Sequence, residues 1–157
     1  MALKLSTRAR YALRMMLDIA RSGGEETPVS LSGVSKRTRV SRGYLEQLAL
    51  ALRNAGLLKG YLGKQGGYRL ARPAREINLQ EIVEATIGPI AILDCLVDPD
   101  TCAKVESCEC RFLYALINKR IVEVFAAYTL EDLRDPSWHD RLARELGKPP
   151  RRSPGAA

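Results

Sequence analysis

Apolar residues recur at helical spacing from the start of the chain. Tyr11, Ala12, Met15, Met16, Ile19 and Ala20 share one face of a segment that Ser6-Thr7 can cap and Gly23-Gly24 can stop. The spacing predicts a helix from about Arg8 to Ser22, with the methionines as core packing. After the loop Glu25 to Ser30 comes a shorter apolar-periodic helix, Leu31 to Arg37. Thr38-Arg39-Val40 then turns the chain, and Ser41 can cap a further helix through Asn54. This is helix-turn-helix spacing. Leu45, Leu48 and Leu52 would face the core of that last helix. Arg42, Gly43, Tyr44 and Gln47 then point outward near its amino-terminal end, the positions a recognition helix offers to base edges.

Gly56 closes the helix, and the pattern changes to a hairpin: Leu57 to Leu62, a Gly63-Lys64-Gln65-Gly66-Gly67 turn, then Tyr68-Arg69-Leu70. A Gly-rich turn alone is common in ordinary hairpins; its position directly after a helix-turn-helix makes it a wing. Pro73 and Arg75-Glu76 mark a junction. Asn78-Leu79-Gln80-Glu81 has a capping-box layout for a helix through about Ala85, ended by Gly88-Pro89. Ile90 to Cys110 reads as loop. A long helix, about Arg111 to Tyr128, carries Leu113, Leu116, Ile117, Ile121, Val124 and Phe125 as an apolar stripe, and is expected to pair with a second copy. Thr129 starts one more helix, and the tail from Lys148 reads as disordered. The expected fold class is mainly α with a small β-hairpin wing: a winged helix-turn-helix over 1–72, a cysteine loop with dimerisation helix over 73–133, and a partly disordered tail over 134–157.

Charge sharpens this reading. Residues 1–72 hold 14 Lys and Arg against 4 Asp and Glu, a net +10, whereas residues 73–157 hold 11 against 14, a net −3. The amino-terminal half is therefore the surface for a polyanion, and nucleic acid is the expected partner. No apolar run approaches the ~20 residues that span a bilayer, and the start Met1-Ala2-Leu3-Lys4 leads into an amphipathic segment rather than a signal peptide, so a cytoplasmic location without membrane contact is expected. With one histidine in the chain, no Ser-His-Asp or Cys-His pairing exists, and the wing glycines lack the strand-to-helix order of a phosphate loop. Neither an enzyme nor a small-molecule substrate is expected.

All four cysteines fall within one loop, as Cys95-x6-Cys102-x5-Cys108-x-Cys110. Several soft ligands together favour zinc or an iron–sulfur cluster. Cys108 and Cys110, one residue apart, are poor joint zinc ligands, and the wider gaps suit a cluster. A metal-free thiol–disulfide switch and buried, inert thiols are the other readings.

The segment Ser41-Arg42-Gly43-Tyr44-Leu45-Glu46-Gln47-Leu48, the wing Gly63-Lys64-Gln65-Gly66-Gly67-Tyr68-Arg69-Leu70, the opening Leu3 to Leu17 and three cysteines before a long helix resemble the bacterial IscR/NsrR-type winged-helix regulators, which include the cluster-free repressor CymR. The likeness covers about residues 1–133. It implies a homodimer with crossing long helices and a winged helix on each half of a palindromic operator in double-stranded DNA. It also implies Cys95, Cys102 and Cys108 as ligands of a 2Fe–2S or 4Fe–4S cluster. In IscR-like members a histidine follows the last ligand cysteine by three residues, and in NsrR-like members an aspartate comes from the partner's first helix. Here Arg111 occupies the histidine position, the first helix opens Thr7-Arg8-Ala9-Arg10, and the single histidine is the distant His139. Cys110 is the extra feature, a fourth ligand or a resolving thiol. Leu62 stands where IscR-like members carry a basic residue, which leaves minor-groove contact to Lys64 and Gln65.

The expected function is a transcriptional regulator, a repressor, sensing cluster, redox or nitric-oxide status. The alternative is the same dimer without a cluster, responding through thiols or a partner protein. Arg8, Lys36, Arg37 and Arg39 are expected mostly on phosphates, Arg42, Tyr44 and Gln47 nearer bases, with Ser41 and Gly43 at the helix start beside them.

Overall fold

A computed structural model describes residues 4–148. Helix α1 (Thr7–Arg21) begins on Ser6, whose side chain accepts from the Ala9 amide, and buries Ala9, Ala12, Met15, Met16, Ile19 and Ala20. Helices α2 (Leu31–Thr38) and α3 (Arg42–Asn54) start on Ser30 and Ser41, each serine accepting a backbone N–H of the first turn. The turn between them is made by Arg39, the one described non-glycine residue at positive φ, +58°. Its amide donates to Ser35 O at 2.9 Å, and Ser35 Oγ donates to Val40 O at 2.6 Å, so local bonds hold a conformation that costs an L-residue about 1 kcal/mol.

Strands β1 (Leu58–Tyr61) and β2 (Gly67–Leu70) pair antiparallel, Leu58 opposite Leu70 and Tyr61 opposite Gly67. Val29 bridges the other edge of β2, exchanging both backbone bonds with Tyr68 at 2.9 Å. This close approach needs the glycines. A Cβ on Gly67, at φ +150°, would overlap the Val29 carbonyl, and one on Gly66 would overlap Tyr61 O. Leu45, Leu48, Leu52, Leu57, Leu58 and Leu70 join the α1 face, Val34 and Ile82 in one continuous core beneath the winged half.

Helix α4 (Leu79–Ile87) opens on a complete Asn78/Glu81 capping box and packs along α1. Helix α5 (Arg111–Ala127) follows the cysteine loop and has no fully buried residue. Its end is tied back by Leu79 N→Tyr128 O and Leu130 N→Ile77 O, both 2.9 Å. Helix α6 (Leu130–Arg134) uses a Thr129/Asp132 capping box, as the sequence suggests. One further helix, α7 (Pro136–Glu145), lies where the sequence reading places only tail. Asp135 caps it, Pro136 opens it, and buried Trp138 packs edge-on to Tyr128 with ring centroids 5.2 Å apart. The disorder expected for Pro149 to Arg152 lies outside the described residues.

Candidate nucleic-acid interface and cysteine loop

Capping by Ser41 fixes where α3 starts and so which side chains its first turns present. Leu45, Leu48, Ala49 and Leu52 are buried, while Ser41, Arg42, Gly43 and Gln47 are exposed and Tyr44 is half-buried. Tyr44 packs edge-on to Tyr11 of α1, centroids 5.9 Å apart, which fixes its ring on the outer face. Arg42 Nε donates to Glu46 Oε1 at 3.0 Å and its other arm reaches Ser32 Oγ at 3.5 Å. Both contacts are exposed, so the guanidinium can exchange them for another acceptor at little cost.

Between α3 and the wing lies a cleft of about 730 Å³, lined by Ser30, Ser32, Arg42, Arg53, Tyr61 and Lys64 among others. Lys64 and Gln65 are fully on the surface at the wing tip. The start of α3, the cleft and the wing thus adjoin, with Arg42, Arg53 and Lys64 as cations and Glu46 as the one acid among the cleft's described lining residues.

The phosphate-contact candidates divide. Lys36 and Arg39 are exposed on the turn side of α2, and among the described residues neither has an ion-pair partner. Arg37 instead forks onto Asp18 of α1, Nη2 to Oδ2 at 2.8 Å and Nε to both oxygens, and this hydrogen bond holds its guanidinium still more firmly protonated. Arg8 is held by another element: its Nε donates to Thr86 O at 2.7 Å at the end of α4. Both acceptors lie on other elements, 19 and 78 positions away. Sequence spacing carries no signal for either.

The cysteine loop is ordered by local turns. Short 3-10 segments span Asp94–Leu96, Pro99–Thr101 and Val105–Ser107. Cys95 lies inside the first, Cys102 and Cys108 end the next two, and Cys110 is the cap position of α5. All four thiols are free; the first three are half-buried and Cys110 is exposed. The Tyr114 amide donates to Cys110 O at 3.0 Å, one turn along α5. The neighbouring Cys110 side chain raises the Tyr114 phenol above its ordinary value, with smaller contributions from burial, Cys108 and Cys95. Among the described residues, no three Cys, His, Asp or Glu side chains converge on a single metal position. The residues fit an iron–sulfur cluster in donor chemistry and in sharing one loop, while their arrangement is open. His139 is no part of this: its Nε2 lies 2.8 Å from Leu133 O, beside Trp138.

Asn118 joins the loop to α5, a contact that sequence reading missed because its stripe analysis followed only apolar positions. Its Oδ1 accepts from Ile92 N at 2.9 Å and its Nδ2 donates to Ile90 O at 3.0 Å. A polar residue in the middle of an apolar stripe was the available signal.

Comparison with known proteins agrees with this geometry. Residues 5–136 match the family model described as Rrf2, iron-dependent transcriptional regulator. The chain is 38% identical over 136 residues to Protein rrf2 of Nitratidesulfovibrio vulgaris, covering 86% of this chain and 90% of that one. It is 51% identical over 86 residues to the HTH-type transcriptional regulator IscR of Cereibacter sphaeroides, 53% of this chain and 54% of the relative. The solved structure of CymR, the global cysteine regulator of B. subtilis, superposes with a TM-score of 0.69 at 36% identity, covering 85% of this chain and 97% of CymR. These relatives are transcriptional regulators and not enzymes, and the superposition on CymR supports the winged-helix fold. The chain belongs to the Rrf2 family of DNA-binding transcriptional regulators.

Proposed function

We propose that this regulator is a cytoplasmic, homodimeric repressor of a palindromic operator that reads iron–sulfur status through the loop from Cys95 to Cys110. One observation carries the reading: four free thiols are gathered in a single loop whose two ends are fixed, one by Asn118 and the other by α5 itself. Cys95, Cys102 and Cys108 would hold the cluster, with Cys110 as fourth ligand or as the thiol that reacts when the cluster is lost. When bound, the cluster supplies a redox- and nitric-oxide-sensitive centre. The protein's part is to hold the loop in one arrangement with the cluster and release it without, since only a ligand that binds two states differently can shift them.

The dimer reading is supported by α5. Phe112 is 87% exposed, Val124 58% and Leu113 56%, and Leu116 and Ile117 extend the same apolar surface. An apolar area of this extent on a helix with no buried residue calls for a covering surface, and a second copy of α5 is self-complementary.

A second reading is a cluster-free switch. It is supported by exposed Cys110 standing two residues from Cys108, and by the overall likeness to CymR. There a peroxide would accept two electrons from a thiol pair among Cys102, Cys108 and Cys110, leaving a disulfide and water. The test is protein purified without oxygen, assayed for visible absorption, iron and acid-labile sulfide beside the four single Cys→Ala variants. Colour with iron and sulfide, lost with Cys95, Cys102 or Cys108, is expected. A protein that stays colourless after anaerobic reconstitution would transfer the reading to the thiol switch.

A further inference from the structure

The wing ends in a side chain that the fold leaves wholly in water. Leu62, directly after β1, is 103% exposed, and the adjacent Tyr61 is 41% exposed. Single apolar residues on a surface are ordinary. This one is aimed by a built turn. Gly66 N donates to Gly63 O at 3.0 Å, Gly63 sits at φ +102°, and Gly66 packs so closely on Tyr61 O that no Cβ would fit. Behind the turn, Val29 clamps Tyr68 through two backbone bonds.

The surroundings are cationic. Lys59 and Lys64 are exposed on either side, the Arg69 guanidinium carbon lies 5.6 Å from the Tyr61 ring centroid, and Arg53 lines the cleft below. An apolar point within a basic collar complements a surface that is anionic at its edges and apolar within. A DNA minor groove has that form, two phosphate ridges flanking the stacked bases.

We propose that Leu62 is a specificity-determining residue: an apolar wedge that enters the minor groove beside the half-site read by α3 and partly unstacks one base step there. This rests on the winged helix being the DNA-binding surface. A wedge selects steps that unstack cheaply, the pyrimidine–purine steps TA and CA/TG, so Leu62 reads deformability where the cations around it read charge. The side chain touches nothing within the subunit, so its replacement leaves the fold intact.

The experiment begins by selecting a duplex from a random-sequence pool with the full-length wild-type protein. Wild type, Leu62→Ala and Leu62→Lys are then compared on that duplex by fluorescence anisotropy across a salt series. A second duplex has the steps flanking each half-site replaced by G·C steps. A third set carries 2-aminopurine at each flanking adenine, which brightens on unstacking. Leu62→Ala should lose about tenfold in affinity for the selected duplex, lose far less on the G·C-flanked one, keep the wild-type salt slope and abolish the 2-aminopurine signal. Leu62→Lys should steepen the salt slope without restoring either step discrimination or brightening. Wild-type affinity of Leu62→Ala on both duplexes, or a 2-aminopurine signal that survives in it, overturns the wedge. If the wild type enriches no duplex at all, the DNA-binding assignment of this face falls first and the wedge falls with it. Equal thermal melting of the three proteins confirms that the comparison is between folded molecules.

Discussion

Replacing Asn118 by Ala removes the only side-chain bridge, among the described residues, between α5 and the chain entering the cysteine loop. Two neutral hydrogen bonds go, Ile92 N→Oδ1 at 2.9 Å and Nδ2→Ile90 O at 3.0 Å. Each is worth about 0.5 to 1.5 kcal/mol net, and both backbone groups are only part-buried, so water takes up some of the loss and about 2 kcal/mol in total is expected. For a chain of this size that corresponds to a fall of about 4 to 8 °C in Tm. The sharper readout is local. Hydrogen exchange at the Ile92 amide should quicken by about 30-fold, while the amides of α1 and α3 should change only as much as global stability does. Asn118→Asp is the discriminating control. It keeps an acceptor for Ile92 but sets a carboxylate oxygen against Ile90 O, so it should restore only part of the protection at Ile92. Unchanged exchange at Ile92 in the Ala variant, or full rescue by Asp, would show that the amide bridge does not hold the loop.

Gly67→Ala should break the Val29–Tyr68 rung, because the added methyl falls on the Val29 carbonyl; a loss of about 1 to 3 kcal/mol by urea unfolding is expected, with DNA affinity reduced beyond what stability explains. Arg37 and Lys36 are neighbours with opposite expected outcomes. Arg37→Ala breaks the Asp18 fork and should cost up to about 1 kcal/mol of stability with little change in the salt slope of DNA binding, whereas Lys36→Ala should leave unfolding unchanged and lower that slope by about one. The Asp135 carboxyl lies below its ordinary value because Ser137 donates to it from both hydroxyl and amide, with smaller help from Arg141 and His139. A depressed carboxylate stabilises the fold above its unfolded value and loses that contribution as pH falls through the folded one. Acid titration followed at the Ser137 amide by NMR should therefore show α7 fraying at its start in the wild type, and no such step in Asp135→Asn.

Helix starts were legible in the sequence wherever a short polar residue preceded an apolar-periodic run. Ser6, Ser41, Asn78 and Thr129 all cap as their spacing suggests, because a cap is a local bond between residues three apart. The burial of Leu45, Leu48 and Leu52 followed from period alone. The α7 helix was not found because Asp135-Pro136 reads equally as a chain break, and its anchor, Trp138 on Tyr128, is a tertiary contact. The directions of Arg8 and Arg37 were hidden for the same reason: Thr86 and Asp18 are brought to them by packing of α1 against α4 and α2. In the cysteine loop the spacing marks the donors, but not the short turns that separate them.

The frame around that loop is cross-braced at both ends, which limits how a signal can leave it. At one end Arg8 of α1 holds Thr86 O, and Thr86 Oγ1 donates back to Val83 O at 2.9 Å, so the last turn of α4 is fixed to the start of α1. At the other end Glu25 accepts from Ala74 N at 2.7 Å, pairs with Arg134 at 3.5 Å, and through its carbonyl receives Arg69 of β2 at 2.6 Å. Wing, the turn at Ala74 and α6 thus meet on one residue of the loop that follows α1. By contrast, the described backbone bonds within residues 93–110 reach no further than four positions along the chain. Between its fixed ends, a segment whose backbone bonds are all local can rearrange without unfolding its frame, and a frame braced in this way moves as a body. On the proposed dimer reading, a change at the cysteines reaches DNA through α5, as a change in how two rigid winged helices are set against each other, and not through refolding of α3 or the wing within one subunit. The size of the response is bounded by the difference in the free energy with which the loop's two arrangements hold their ligand: about 2.7 kcal/mol shifts an even balance of states to roughly a hundred to one, and a ligand held equally by both shifts nothing.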